Sequence, residues 1–147
     1  MEILELFATL AAGLFSGASI YINLVEHPAR VQCGTAIALA QFAPSYKRAT
    51  LMQATLAATG FLAALGAYLL GAGTTWLIAG ILLGLVIPFT LTVILPTNRR
   101  LLSPALAKDS PEARQLLDRW GKLHAVRSIL SFISFFVFLC ALSQKSR

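Results

Sequence analysis

The sequence predicts an all-α fold, an integral membrane bundle of four helices in one domain over residues 1–147. Hydrophobic side chains make up 57% of the 147 residues and charged side chains only 12%, with a mean hydropathy of +0.75. A soluble domain with a single core is less apolar than this. Four apolar runs, at about 4–25, 50–71, 75–96 and 124–143, each have the length of roughly 20 residues that a helix needs to span a bilayer.

The first apolar run is interpreted as a retained helix and not as a cleaved signal peptide. A signal peptide has a basic start and a short apolar core, whereas this run begins with Glu2 and Glu5 and continues to Val25. Pro28 follows in the stretch YINLVEHPAR, where it removes a backbone donor and disfavours a helical conformation at His27. The first helix is therefore expected to end or kink there.

Prolines also set the expectations for the second and third helices. The stretch before Pro44 predicts a helix on the membrane surface, followed by a turn into the second span. Pro88 predicts a kink in the third helix, because its ring frees the carbonyl four residues earlier. Thr90 and Thr92 are close enough in sequence to satisfy that carbonyl. Pro96 is expected to end the third helix.

Small residues four positions apart occur in the first and third runs, as GLFSG at 13–17 and GILLG at 80–84. Such patterns let helix backbones approach each other closely in lipid. They predict either close packing of the first helix against the third or glycines that a membrane helix merely tolerates.

The start of the fourth helix is marked well before its apolar run. Ser110 is the predicted N-cap, Pro111 the first helical position and Glu112 a first-turn acid. The helix should extend into the cytoplasm before its span begins, with Gly121 as the expected hinge. Its apolar side in that extension is expected to lie on lipid headgroups, and it comprises Leu116, Leu117, Trp120 and Leu123.

Basic residues predict the orientation. Ten of the 12 Lys and Arg residues lie in or beside the connections between the first and second runs and between the third and fourth, and the other two are Lys145 and Arg147. Since basic residues resist translocation, both connections are predicted in the cytoplasm and both termini outside, in the plasma (inner) membrane. The net charge of +6 then predicts attraction to anionic lipid headgroups, and no aromatic-basic motif for nucleic acid accompanies it.

Polar residues interrupt three of the four helices on one face each. The first face comprises Ser16, Ser19, Asn23, Glu26, His27 and Arg30. The fourth helix contributes Trp120, His124, Arg127, Ser131 and Ser134, and the third contributes Thr97, Asn98, Arg99 and Arg100. Because lipid disfavours such groups, these faces are expected to point into the bundle and to form a site at its cytoplasmic end.

The residue types at this site predict proton-transfer chemistry. Glu26, His27 and His124 are the predicted catalytic residues, because a carboxylate or an imidazole can remove a proton from an acidic C–H or a phenol. Amide, indole and guanidinium groups can bind a substrate and a developing oxyanion. The predicted substrate-binding residues are Asn23, Arg30, Asn98, Arg99, Trp120 and Arg127.

Two alternatives stay open on the residues alone. The same groups can form a buried ion-pair network that fixes the helix ends. His27 and His124 can also act as the two axial ligands of a haem. No zinc, serine-hydrolase or nucleotide site is predicted, because the sequence has no CxxC, HExxH, GxSxG or glycine-rich phosphate motif.

Three motifs in this order resemble the DUF1772 family of anthrone oxygenase-like membrane proteins: VEHPAR after the first helix, LPTNRRL after the third and WGKLHAVRS in the fourth. The likeness covers almost the whole chain. It implies a small four-helix membrane protein, and some fungal members are associated with oxidation of anthrones to anthraquinones without a conventional cofactor. The positions that the resemblance implies at the site are Asn23, Glu26, His27, Pro28, Asn98, Arg99, Trp120, His124 and Arg127.

The residues and the resemblance together predict a membrane oxidoreductase, anthrone oxygenase-like, that acts on a hydrophobic aromatic or quinone-like compound. The alternatives are a non-enzymatic membrane protein that binds a lipid or a quinone, and a structural partner subunit. The expected partners are membrane lipids and a hydrophobic small molecule, without nucleic acid, and the chain is compatible with a homo-oligomer. No cofactor is expected, with the haem at the two histidines as the alternative.

Overall fold

The computed structural model describes residues 1–145, and Arg147, one of the basic residues counted above, lies outside them. The described chain forms four helices: α1 Glu2–Gln32, α2 Thr35–Leu69, α3 Thr74–Leu101 and α4 Pro111–Lys145. All four are long and apolar enough to cross a membrane, and residues 1–145 contain no strand. The predicted all-α bundle of four membrane helices is confirmed.

Of the predicted end or kink of the first helix at Pro28, the end is wrong, and the kink stays a prediction. α1 continues to Gln32, and His27 has helical φ and ψ angles of −66° and −46°. A π-helical turn, Ile22–Glu26, comes immediately before His27. A π turn bonds each N–H to the carbonyl five residues earlier and is wider than an α turn. We attribute the continuity of α1 to this turn, because the wider backbone makes room for the proline ring.

The predicted surface helix before the second span is also wrong. Residues Thr35–Leu69 form one helix of 35 residues with Pro44 inside it. At 1.5 Å per residue such a helix is about 52 Å long, whereas the hydrocarbon core of a bilayer is about 30 Å thick. The first turns of α2 therefore extend past the bilayer. Pro44 is exposed there, so water can reach the backbone carbonyl that the proline leaves without a donor.

α3 passes both of its prolines, so the predicted end at Pro96 is wrong. The break that Pro88 predicts occurs three residues earlier, at Leu85, and a second π turn, Thr90–Ile94, comes two residues before Pro96. The two threonine hydroxyls of this turn donate to the carbonyls four residues earlier, at 2.6 and 2.8 Å. They do not bond to the carbonyl that Pro88 frees, as the sequence had suggested.

The predicted N-cap of α4 is confirmed, because the N–H of Ala113 donates to Ser110 Oγ at 3.1 Å. The predicted hinge at Gly121 is wrong, since α4 is one helix through this position. The predicted contact of the extension with headgroups is wrong as well. Its apolar side packs on the extension of α2 and is 0 to 6% exposed at Leu116, Leu117 and Trp120.

The helices pack around the bundle in chain order. α1 and α3 each lie against α2 and α4 and barely touch each other. The predicted packing of the α1 glycines on the α3 glycines is therefore wrong. A Cβ at Gly13 would meet Phe135 of α4 at 2.9 Å, and one at Gly80 would meet Ala64 of α2 at 2.7 Å.

Two apolar clusters divide the bundle into two halves. The half that contains the N-terminus and the connection between α2 and α3 is called the terminal half, and the half next to the connections at 33–34 and 102–110 is called the connection half. The terminal cluster comprises Ala8, Ala12, Phe15, Ala57, Ala64, Trp76, Ala79, Leu83, Val86 and Phe138. The connection cluster comprises Ile22, Ala38, Leu39, Phe42, Ile94, Leu101, Ala113, Leu116, Leu117 and Trp120.

Candidate functional site

All four helices contribute side chains to a pocket in the connection half, which we call the central pocket. Its free volume is about 20 Å³, which is room for about one water molecule. The pocket combines aromatic and aliphatic walls with amide, imidazole and guanidinium groups. The lining residues are Ile22, Arg30, Phe42, Ser45, Tyr46, Ala49, Thr50, Gln53, Ile94, Asn98, Trp120, His124 and Arg127.

Asn23 connects α1 to α4 and determines how His124 is protonated. Asn23 Nδ2 donates to the backbone carbonyl of Gly121 at 2.9 Å, and a carbonyl can only accept. Asn23 Oδ1 therefore faces His124 Nδ1, 2.7 Å away, and also accepts from Ser128 Oγ at 2.6 Å. A neutral His124 must then carry its proton on Nδ1 and its lone pair on Nε2. Of the two ring nitrogens of a neutral His124, Nε2 is therefore the one that can accept a proton.

The indole of Trp120 contacts both histidines. Its ring centroid lies 5.1 Å from that of His27 and 4.7 Å from that of His124. His27 in turn lies against α4 at Gly121, where a Cβ would be only 2.7 Å from His27 Nε2. Gly121 is therefore a contact point between α1 and α4, which explains a glycine that resembled a hinge in the sequence.

Arg30 lies among aromatic rings at the wall of the central pocket. Its guanidinium carbon is 5.9 Å from the ring centroid of Phe42 and 5.8 Å from that of Trp120. The faces of aromatic rings attract a cation at this range. Arg30 is 6% exposed, so the rings and the carboxylate of Glu26, its ion-pair partner, compensate for the loss of water around its charge.

Glu26 links α1 to α2 by hydrogen bonds and does not line the central pocket. Its Oε1 accepts from Arg30, from Gln41 Nε2 at 2.8 Å and from Ser45 Oγ at 2.8 Å. Its side chain faces a groove between α1 and α2 on the outside of the bundle, beside Tyr21. The geometry makes Glu26 an anchor for Arg30, since three donors already occupy one oxygen of its carboxylate.

Gln53 holds the second guanidinium of the site, that of Arg127. Arg127 Nη2 donates to Gln53 Oε1 at 2.8 Å, and Gln53 Nε2 donates to Ser19 Oγ at 3.2 Å. The guanidinium carbon of Arg127 lies 5.4 Å from the ring centroid of Phe15. The sequence interpretation missed Gln53, although a single amide in the apolar run LMQATL was an available signal. It also missed Phe42, which lies in the segment interpreted as a surface helix, and Tyr46, which lies in the turn predicted after it.

Buried polar atoms without a hydrogen-bond partner among residues 1–145 are concentrated around the central pocket. Native structures pair nearly all such atoms with protein or water. Three of these atoms are donors of pocket-lining residues and one is an acceptor, so the surroundings suit a ligand that is rich in oxygen acceptors. The atoms are Arg30 Nε, Trp120 Nε1, Arg127 Nε and Asn98 Oδ1, and His27 Nδ1 lies just behind the wall.

The structure brings most of the predicted site residues together. The lining residues among them are Arg30, Asn98, Trp120, His124 and Arg127. Asn23 and His27 lie directly behind this wall, in contact with His124 and Trp120. The structure does not bring in Glu26, which faces the outer groove, or Arg99, which is exposed. The catalytic and binding roles assigned from the sequence stay predictions.

The surroundings of the two histidines leave little room for a haem between them. A haem with two axial imidazoles must lie between them, yet the Trp120 ring contacts both and Asn23 is bonded to His124 Nδ1. A haem at this place would have to displace the indole. Within residues 1–145, no three His, Cys, Asp or Glu side chains form a group that could hold a metal ion.

The fold and the pocket define an α-helical membrane protein with a buried polar site that has aromatic walls. Residues 42–137 match the family model described as anthrone oxygenase. The chain is 32% identical over 133 aligned residues to the anthrone oxygenase tpcL of Aspergillus fumigatus, and the match covers 83% of this chain and 82% of that protein. No solved structure matches significantly. The chain therefore belongs to the anthrone oxygenase family, which confirms the resemblance seen in its motifs.

Proposed function

We propose that the protein is a membrane oxygenase that oxidises a flat anthrone-like or phenolic compound at an activated C–H bond. The observation that carries this proposal is the fixed tautomer of His124, whose Nε2 is free to act as a base in a pocket lined by unpaired donors. Membership of the anthrone oxygenase family supports an oxygenase function at the family level.

The walls of the central pocket suit a flat aromatic ring system with a carbonyl or phenol oxygen. Phe42, Tyr46 and Trp120 supply rings, and the two guanidinium groups supply donors for oxygen. The free volume of about 20 Å³ is too small for three fused rings. Binding therefore requires one wall to move outward, and we assign this movement to α2 around Tyr46, which is half-buried.

The proposed reaction begins with proton removal by His124 Nε2 from the activated carbon of the substrate. The resulting negative charge spreads onto the substrate oxygen, where Arg30 and Arg127 stabilise it. The carbanion is then oxidised by dioxygen, a C–O bond forms, and the imidazolium of His124 returns its proton to give a hydroperoxide. Loss of the second proton from the same carbon breaks the O–O bond and releases water, which leaves a quinone carbonyl.

The remaining site residues position these groups. Asn23 holds His124 in the tautomer with a basic Nε2, and Glu26 holds Arg30 against the wall of the pocket. Gln53 holds the guanidinium of Arg127 in place by accepting a hydrogen bond from it. We also propose that the enzyme lies in the plasma membrane with the central pocket on the cytoplasmic side, because the basic residues favour that orientation. A hydrophobic substrate would then enter from the bilayer.

Turnover by the detergent-purified protein tests this function. With an anthrone as substrate, we expect one dioxygen consumed for each anthraquinone formed, measured with an oxygen electrode and by chromatography. We expect no Soret band in the absorption spectrum after growth with a haem precursor. A copurified quinone or lipid without any turnover would favour the binding protein, and a Soret band lost on substitution of either histidine would favour the haem protein.

A further inference from the structure

A second pocket lies beside the central pocket, between α2 and α3, and we call it the apolar pocket. Three residues, Thr50, Gln53 and Arg127, line both pockets. The two spaces are therefore neighbours that meet at the hydrogen bond between Arg127 and Gln53. The apolar walls are formed by Phe15, Ala54, Ala57, Val86, Ile87 and Leu91.

The size of the apolar pocket restricts what it can hold. Its free volume is about 90 Å³, whereas an apolar cavity that holds benzene or xenon measures about 150 Å³. The pocket is thus too small for a ring compound and large enough for a small apolar molecule. Ala54 and Leu91 are exposed on the outside of the bundle, so such a molecule can enter directly from the hydrocarbon of the bilayer.

We propose that the apolar pocket binds dioxygen and supplies it from the bilayer to the central pocket. This inference rests on the proposed function, in which dioxygen is the second substrate. Dioxygen is small and uncharged, which suits apolar walls with an opening to lipid. The shared boundary then brings it next to a compound bound in the central pocket without passage through water.

Arg127 lies at the boundary between the two pockets and would act in the reaction with dioxygen. The substrate carbanion is oxidised and dioxygen is reduced as the C–O bond forms, so negative charge develops on the outer oxygen. The side chain of Arg127 lines both pockets, and its Nε is buried without a partner among the described residues. A cation fixed at this place stabilises the developing peroxide until His124 protonates it.

Substitution of Ala54 by leucine tests the dioxygen site. Ala54 lies at the lipid-facing mouth of the apolar pocket, where a larger apolar side chain is tolerated and reaches into the pocket. Thr55→Leu is the matched control, because Thr55 is the next residue, is exposed and lines neither pocket. Initial rates are measured against dioxygen concentration at saturating anthrone, and against anthrone concentration in air-saturated buffer.

We expect Ala54→Leu to lower kcat/KM for dioxygen at least about fivefold, the loss of roughly 1 kcal/mol of stabilisation. The KM for anthrone should change less than about twofold, and Thr55→Leu should leave both quantities unchanged. An unchanged kcat/KM for dioxygen in Ala54→Leu would overturn the proposal. So would an equal loss in Thr55→Leu, or a raised KM for anthrone as the main effect, which would assign the pocket to the larger substrate.

Xenon binding tests the pocket without turnover, because xenon enters apolar cavities of this kind. Crystals pressurised with xenon should show an atom between α2 and α3 in the parent and in Thr55→Leu, and none in Ala54→Leu. An empty pocket in the parent would overturn the proposed site even if anthrone turnover is normal. Xenon bound as expected in a protein that does not oxidise anthrones would support the gas-binding site and contradict the proposed function alone.

Discussion

The two halves of the bundle differ in the contacts that dominate between their helices. In the terminal half, small side chains let backbones approach, and Ala8, Ala12, Ala57, Ala64 and Ala79 are all 0% exposed. In the connection half, polar side chains join the helices, as Asn23 does between α1 and α4. Small residues suffice to pack helices in lipid, where polar groups are costly. The polar groups of the connection half are therefore better explained by a site than by a need for stability.

The two π turns, which both contribute to the connection cluster, differ in their side chains. Ile22–Glu26 in α1 and Thr90–Ile94 in α3 each end two residues before a proline. Asn23 and Glu26 of the turn in α1 form hydrogen bonds to other helices, whereas Thr90 and Thr92 of the turn in α3 bond to carbonyls of their own helix. The following proline explains why each π turn forms. The side chains of Asn23 and Glu26 explain why the turn in α1 holds polar groups of the site in place.

Cysteine labelling tests which side of the membrane each half faces, and its expected effect is all or none. In a background without Cys33 and Cys140, an impermeant reagent added outside should label Thr74→Cys and miss Ala105→Cys, because the basic residues predict that the connection half lies in the cytoplasm. Thr74 is preferred to Gly73, whose φ of 102° suits glycine. The reverse labelling pattern would place the central pocket on the outer side.

His124→Asn and Ser134→Ala compare the two halves on one helix. Asparagine at 124 keeps a donor for Asn23 Oδ1 but has no basic nitrogen, so turnover should fall about a hundredfold or more with little change in Tm. Ser134→Ala removes the bond to the carbonyl of Ala79 at 2.7 Å, which should cost about 1 kcal/mol of stability and no activity. Undiminished turnover in His124→Asn would refute the assignment of the base.

Asn23 variants test whether α1 acts through His124. Asn23→Ala frees the imidazole to take the other tautomer, so kcat should fall about tenfold or more while the KM for the aromatic substrate stays the same. Asn23→Asp keeps an acceptor for Nδ1 and should recover part of this loss. The recovery should be only partial, since the ionised carboxylate of this variant cannot donate a hydrogen bond to the carbonyl of Gly121. Equal loss in both variants would limit Asn23 to a structural role.

Glycine variants of the terminal half should give the smallest effects and none on chemistry. Gly80→Ala places a Cβ 2.7 Å from that of Ala64, and such overpacking typically costs about 1–3 kcal/mol. Gly17 has no atom within 4 Å of the added Cβ, so Gly17→Ala should raise stability by about 0.5–1 kcal/mol. Thermal unfolding in detergent measures both, and a large loss of turnover per folded molecule in Gly80→Ala would contradict the separation of the halves.

The sequence predicted the four spans and most of the site, but not where the helices end. Polar residues such as His124 and Arg127 share one face at helical spacing, and the cost of exposing them to lipid indicated that this face points inward. The prolines misled the interpretation at Pro28, Pro44 and Pro96, because local rules treat a proline as an end. A helix can instead continue through a proline where a π turn precedes it or where water reaches the carbonyl that loses its donor. Neither feature can be inferred from the order of the residues.

The sequence by itself determined the membrane fold, the family and the set of groups available for chemistry, because hydrophobicity and helical spacing depend only on the order of the residues. Tertiary structure alone decided where each group lies and which groups it contacts. Glu26 and His124 are both potential bases in the sequence, and only contacts between helices separate them. Three donors hold Glu26 on the outer groove, whereas the carbonyl of Gly121 orients Asn23 and so leaves His124 Nε2 free at the central pocket.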